Sequence, residues 1–196
     1  MSSDTSPVLP TQFSYTSQRL LLRPHSINDH SVWRETFLNL PQTDNHWAIQ
    51  PQPEEKLTRK SLRKQIAQHA EDWINDHSYF FAAFDKVSHQ LIGQISLMDI
   101  SRAIFQNAYV GYTVHPPHWR KGYGKEMLMA AIDIAFKHLK LHRIEAGIAP
   151  ENTASIHLAE SAGLRFEGLS QKRLFHKGEW CDMLLYAATA EDFDIK

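Results

Sequence analysis

Residues 105–149 constrain this chain more than any other stretch, because they read as strand, loop, helix and strand in close succession. The first strand covers residues 105–114, and Pro116 and Pro117 stop it by withdrawing backbone donors. The helix covers residues 122–139, where Met127, Leu128, Ala131, Ile134, Ala135 and Leu139 fall on one face at helical spacing. A second strand, residues 143–149, follows at once. Two strands joined through one helix run parallel with a right-handed crossover. The segment therefore calls for a sheet that carries this helix, with ligands expected past the carboxyl ends of its parallel strands.

The other elements alternate in a mixed α/β order. Residues 19–23 predict a strand built on Leu20, Leu21 and Leu22 and ended by Pro24. Ser26 or Asn28 can cap a helix through Trp33 and Phe37 that stops before Pro41. Residues 42–53 read as a loop, and a long polar helix is expected from about residue 54 to 76. Strands are expected at 79–85 and 90–97, with 86–89 as their turn. A second helix, 152–161, is closed by Gly163 as a C-terminal cap. A hairpin of residues 164–175 and 180–187 turns at Lys177-Gly178.

A chain of 196 residues suits one domain, expected over residues 13–196, after a disordered Ser-, Thr- and Pro-rich tail over residues 1–12. The formal net charge of -1 gives no basic field for direct nucleic-acid binding. No apolar run reaches the roughly 20 residues that span a bilayer. The tail lacks the basic start and apolar core of a signal peptide. Cys181 is the only cysteine, so no internal disulfide can form and a cytoplasmic location is expected. It sits in a strand-like run and reads as a core or half-buried thiol rather than a nucleophile.

Two segments carry chemistry. Arg120, Lys121, Gly122, Tyr123, Gly124 and Lys125 open the first long helix after the strand. A helix start offers unpaired N–H groups and a positive dipole end, which suit a phosphate. Gly122 and Gly124 let a diphosphate approach the backbone, and the basic residues add charge; alternatively the glycines only make a turn. The run is neither a Walker loop nor a dinucleotide fingerprint, since Met127 stands where the latter needs glycine. In the second segment Asn152 can cap a helix and also bond an amide-bearing ligand. Ser155 falls in that helix's first turn, where its hydroxyl either faces the same cleft or stays idle. His115 and His118 flank two prolines and lack the one-turn helical spacing of a zinc pair, so no metal is expected. The basic run at residues 59–64 reads as a solvated helix face or a surface for an acidic partner. Trp33, Trp47, Trp73 and Phe80 are candidates to line a groove, with Trp33 and Phe37 better suited to the core.

Together these segments resemble the GNAT superfamily of acyltransferases. Residues 112–125 resemble its motif A, Q/R-x-x-G-x-G/A, and residues 152–164 followed by Glu167-Gly168 resemble its motif B. The nearer likeness is to the RimJ/RimL group, which acetylates N-terminal amines of ribosomal proteins. It runs from residue 19 to about 188, with echoes at Gly111-Tyr112, at 118–124, at 142–146 and at 178–182. The resemblance implies an α/β (α+β) GNAT fold: a mixed central sheet of about seven strands, a parallel pair splayed at the acetyl-CoA cleft, and about four flanking helices. It implies acetyl-CoA as cosubstrate. Backbone groups of Tyr112, Thr113 and Val114 would pair with the pantetheine arm, and amides from Arg120 to Lys125 would hold the diphosphate. Asn152 would bind the cofactor arm and Ser155 would protonate the leaving thiolate.

The chain departs from that pattern at three places. Trp119 occupies the first position of the motif A signature, so a side-chain contact is lost. Ala159, in Leu158-Ala159-Glu160, stands where many relatives carry the tyrosine that acts as the thiolate's acid, which leaves Ser155. Tyr109 stands where many carry a glutamate base; Glu145, Asp99 and Glu167 are the substitutes, with Glu145 placed to act through water unless it pairs with an arginine. The expected activity is acetyl transfer to the N-terminal α-amine of a protein, a ribosomal protein among the candidates, by a monomer or homodimer. A small amine (antibiotic, polyamine or amino acid derivative) is the alternative acceptor, and a non-catalytic CoA-binding module is a third reading.

Overall fold

The computed structural model describes residues 10–45 and 47–195. Its strands are β1 (Tyr15–Thr16), β2 (Leu20–Arg23), β3 (Tyr79–Asp85), β4 (Leu91–Ser101), β5 (Asn107–Val114), β6 (Arg143–Ile148), β7 (Arg165–His176) and β8 (Glu179–Thr189). Its α-helices are α1 (His30–Leu38), α2 (Arg59–Ile74), α3 (Tyr123–Asp133) and α4 (Thr153–Ser161). The eight strands form one open sheet in the order β1-β2-β3-β4-β5-β6-β8-β7. All neighbours are antiparallel except β5 and β6. The expected mixed α/β sheet with one parallel pair is thus present. The strand beyond the expected seven is β1, where Tyr15 and Thr16 pair with Leu22 and Leu21.

Local chemistry explains the other differences. Residues 54–76 do not make one helix: a 3-10 turn, Glu54–Lys56, is cut off where Leu57 turns inward and is buried. Thr58 then caps α2 by accepting from the Ser61 N–H. Ser26 caps a 3-10 turn, Ile27–Asp29, with Asp29 completing a capping box, and α1 starts only at His30. Beyond Asp133 the ladder of α3 widens into a π turn, Ile134–His138, and the Leu139 N–H reaches the Ile134 carbonyl. Ile104 and Phe105 are exposed in a turn, so β5 begins later than expected. The expected tail falls largely on residues 1–9, which lie outside the described residues; Pro10–Gln12 form a 3-10 turn with Pro10 buried.

Six of the seven residues of β3 are buried, because α3 covers one face of the sheet and α1 with α2 covers the other. Leu20, Phe81, Ile95, Leu128 and Ile144 pack together on the α3 side. Trp33, Phe37, Leu62, Phe80 and Leu91 pack on the α1/α2 side. Trp33, Phe37, Trp73 and Phe80 are therefore core residues, with Trp73 and Phe80 also touching a cavity beside α2, and of the aromatic groove candidates Trp47 alone lines the cleft between β5 and α4. Cys181 is free and half-buried on β8, as expected.

The parallel pair of the sheet opens the cleft. The parallel register of β5 and β6 runs from Asn107↔Arg143 to Tyr109↔Glu145 and stops there. From Val110 and Ala146 onward the strands part. The β6-facing edge of β5 is left without a strand partner, while its other edge stays paired to β4 through Val114↔Gly93.

Candidate active site

The open edge of β5 leads into the junction with α3. His115, Pro116 and Pro117 turn the chain, and Gly122 caps α3 with φ +78, a left-handed conformation that favours glycine. The first-turn N–H groups of Tyr123, Gly124 and Lys125 have no intrahelical acceptors. Gly124 serves a second purpose: a Cβ there would lie 3.0 Å from the Leu158 side chain, so its absence lets α4 approach α3.

Residues remote in sequence fasten this junction. Glu126 accepts from the Ser17 hydroxyl at 2.7 Å, the Arg19 N–H at 2.6 Å and the Arg19 Nε at 2.7 Å. Burial alone would raise the Glu126 pKa, but these donors outweigh it and hold the carboxyl below its ordinary range. Arg19 also donates to the Lys121 carbonyl at 2.8 Å and lies over the Tyr123 ring. Tyr123 donates to Asp85 at 2.9 Å. Trp119 replaces the missing motif side chain with another contact: its indole N–H donates to the Val114 carbonyl at 2.6 Å, tying the loop to the end of β5. That carbonyl is thus already engaged, which leaves Tyr112 and Thr113 as the freer backbone. Lys121 is spent on the Pro117 carbonyl, whereas Arg120 and Lys125 are exposed at the mouth.

Opposite β5 stands the start of α4. Asn152 caps it by accepting from the Ser155 N–H at 3.2 Å, so its amide nitrogen remains to donate to a ligand. The Ser155 hydroxyl lies 2.9 Å from the Tyr112 hydroxyl, a contact between β5 and α4 that the sequence motifs did not signal.

Two cavities meet here. One, about 500 Å³, runs from the α3 junction along Tyr112, Thr113 and Val114 to Asn152, Ser155 and Leu158. The other, about 150 Å³, fills the gap between the parted strands and is lined by Val110, Gly111, Ala146, Gly147 and Met183. Trp47, Tyr112, Asn152 and Ser155 line both. Trp47 comes from the loop after α1, donates to Glu151 at 3.1 Å, and stacks on His176 of β7 at 4.6 Å between ring centroids. The larger cavity fits an extended phosphate-bearing ligand: cations and unpaired N–H groups at one end, an open strand edge along its side.

Beyond the parted strands lies a charged face. Glu145 does pair with an arginine, accepting from Arg143 Nε at 2.8 Å. Burial would raise its pKa, but bonds from Arg143, Tyr109 and Asn107 keep it low. Tyr109 donates to Glu145 and is itself raised, first by burial and then by that bond. Arg173 donates to the Tyr109 hydroxyl, with its guanidinium 5.1 Å from the ring centroid. Glu167 bonds Arg143 and lies 3.3 Å from Arg165 Nε. Asp99 has φ +51 and acts on Tyr109 only through its charge. Among the described residues no group of three or more His, Cys, Asp or Glu could hold a metal ion.

Comparison with known proteins agrees with this geometry. Residues 19–165 match the model of the acetyltransferase (GNAT) domain family. The chain is 37% identical over 135 residues to the probable N-acetyltransferase YjcK of Bacillus subtilis, covering 69% of this chain and 75% of that protein. It is 31% identical over 116 residues to the Escherichia coli [ribosomal protein uS5]-alanine N-acetyltransferase, covering 59% and 60%. A spermidine N(1)-acetyltransferase of Vibrio cholerae is 29% identical over 110 residues, covering 56% and 63%. The structure of a putative ribosomal-protein-serine acetyltransferase from Vibrio cholerae superimposes with a TM-score of 0.76 at 26% identity, covering 93% of this chain and 99% of that one. The splayed parallel strands, the glycine-bearing start of α3 and the family match converge on one conclusion: this chain belongs to the GNAT family, with RimJ/RimL-like relatives, and is an acetyl-CoA-dependent N-acetyltransferase.

Proposed function

We propose that this enzyme passes the acetyl group directly from acetyl-CoA to the N-terminal α-amine of a protein, with a ribosomal protein as the first acceptor to test. The charged face beyond the parted strands carries this reading. Its carboxylates Glu145 and Glu167 share Arg143, Glu167 also lies beside Arg165, and Arg173 adds a cation over Tyr109. With its carboxylates already paired to arginines, such a face offers little attraction to a polycation. It also offers only a weak base. An α-amine, with an ordinary pKa near 7.7–8.0, is partly neutral at cellular pH, whereas a lysine-like amine near 10.4 is not. The relatives that modify ribosomal-protein alanine or serine support the same choice, and such an acceptor implies action in the cytoplasm.

In this reading the diphosphate of acetyl-CoA sits at the backbone amides of Arg120 to Lys125, aided by the free charges of Arg120 and Lys125. The pantetheine arm pairs with Tyr112 and Thr113 on the open edge of β5, and Asn152 donates its amide to that arm. The acceptor amine enters between the parted strands. Glu145, through water or through Tyr109, takes the amine's proton. Backbone N–H groups on the β5 edge stabilise the developing oxyanion, and Ser155 meets the leaving sulfur.

A panel of acceptors tests the proposal, with thiol release as the readout. Peptides beginning with alanine or serine should exceed spermidine and small aminoglycoside amines by at least roughly tenfold in kcat/KM, a difference of about 1.4 kcal/mol. Preference for spermidine or another small amine would overturn it. CoA binding without turnover on any acceptor would point to a non-catalytic module.

A further inference from the structure

The chain holds six tyrosines. Five of them give their hydroxyl proton to a carboxylate: Tyr15 to Asp133, Tyr79 to Asp76, Tyr109 to Glu145, Tyr123 to Asp85 and Tyr186 to Glu160. Tyr112 is the exception. Its hydroxyl lies 2.9 Å from Ser155 Oγ and 3.3 Å from the Ser155 carbonyl oxygen, and among the described residues no charged group bonds it. A phenol bound to a carboxylate is held there. A phenol that meets a neutral hydroxyl keeps its proton available. Tyr112 and Ser155 also line both cavities, at the junction any acetyl group must cross.

Helix α4 cannot supply a phenol from the next turn, because Ala159 is fully buried against the core. A serine alone is a poor acid, since an alkyl alcohol holds its proton far more tightly than a phenol with an ordinary pKa near 10. We propose that Tyr112 and Ser155 form a two-hydroxyl relay to the sulfur of CoA, with Tyr112 as the positioning and proton-supplying phenol behind the serine. The proposal rests on the reading of this cleft as the acetyl-transfer site.

The amine nitrogen bonds to the acetyl carbon, the C–S bond breaks, and its electron pair stays on sulfur. Sulfur takes the Ser155 hydroxyl proton, and Ser155 takes the phenolic proton of Tyr112. The nitrogen releases one proton to the base and thence to water. Solvent returns one to the Tyr112 phenolate. Burial, which raises the Tyr112 pKa, keeps the resting phenol protonated at neutral pH.

The test needs no acceptor. The thiol of CoA bound to the full-length protein is titrated by its ultraviolet thiolate absorbance, with the desulfo-CoA complex subtracted to cancel Cys181 and the tyrosines. In the wild type the bound thiol should titrate below the ordinary thiol value of about 8.5. Tyr112→Phe should raise it by about one pH unit, a tenfold loss of thiolate, while CoA affinity stays within about twofold. Ser155→Ala should raise it similarly, and the double variant no further than the larger single effect, because the two hydroxyls act in series. With an accepted peptide, Tyr112→Phe should lower kcat by roughly 10²-fold and leave KM unchanged. An unchanged thiol titration in Tyr112→Phe, or additive single effects, would overturn the relay. Should Tyr112→Phe fail to fold, 3-fluorotyrosine at position 112 decides: the more acidic phenol should lower the thiol titration below that of the wild type, and an unchanged titration would overturn the relay. Failure of wild-type protein to bind CoA would instead overturn the reading of the cleft, and the relay with it.

Discussion

At the residue scale, the site depends on positions whose roles follow from backbone geometry and bonding rather than from chemistry at the reacting atoms. Gly122 adopts φ +78 at the cap of α3. An L-residue there pays about 1–2 kcal/mol for the left-handed conformation, so Gly122→Ala should lower Tm by several degrees and weaken CoA binding. Glu126 takes three hydrogen bonds from Ser17 and Arg19 at a half-buried position. Glu126→Ala leaves those donors without their acceptor and should cost about 1–3 kcal/mol in urea unfolding, with acetyl-CoA affinity reduced in parallel. The two effects belong together, because Arg19 also holds the Lys121 carbonyl of the phosphate-binding junction. An unaltered affinity in Glu126→Ala would show that the junction holds its shape without this anchor. Trp119 shows how a departure from a motif is absorbed: where the signature expects a flexible polar side chain, an indole closes the loop onto Val114 instead.

At the scale of elements, the decisive event is the parting of β5 and β6 after Tyr109 and Glu145. It opens one edge of β5 to the cosubstrate and gives the amine a way in. The loop after α1 and the β7–β8 hairpin, far apart in sequence, meet over this opening through the stack of Trp47 on His176. An aromatic stack contributes about 0.5–1.5 kcal/mol beyond its buried area. Trp47→Ala should therefore raise the acceptor KM by roughly 2- to 10-fold with a smaller effect on kcat, measured with a saturating supply of acetyl-CoA. Equal KM values for the two proteins would remove Trp47 from the acceptor path. Gly124 belongs to this scale as well, since the room it leaves is filled by Leu158 of α4. A bulky residue there should disturb α4, and with it Asn152 and Ser155, before it touches any phosphate.

The whole molecule sets the response to acid. His115 is 1% exposed, donates through Nδ1 to the Leu91 carbonyl at 3.1 Å, and packs against Phe37. Burial lowers its pKa to about 4, with His118 and His25 adding to the effect and the Leu91 bond opposing it. Burial likewise lowers His69, stacked on Phe80, to about 4. In the unfolded chain both titrate near 6.5. Between these values the unfolded state binds more protons, so stability is full above about pH 6.5 and falls as the pH drops toward 4. For His115 the loss between pH 7 and 5 is about 2 kcal/mol. Urea unfolding of a His115→Asn variant should show a correspondingly flatter pH dependence over that interval, even if its stability at pH 7 is lower. The same slope in both proteins would assign the acid sensitivity elsewhere.

The sequence by itself determined what depends on periodicity and on short-range backbone chemistry. The helical spacing from Met127 to Leu139, the glycines at the start of α3, the cap at Asn152 and the turn at Lys177-Gly178 were all legible, because neighbours within a few residues specify them. The parallel pair was legible too, since a strand, a helix and a strand joined without slack leave little choice. The tertiary structure alone decided what depends on groups brought together from distant segments. Glu126 meets Arg19, Trp47 meets His176, and Glu145 is claimed by Arg143 and Tyr109. The same holds for Tyr112. Its place on a strand was legible before the stop at Pro116 and Pro117, but its pairing with Ser155 exists only because α4 packs across the gap where the parallel strands part.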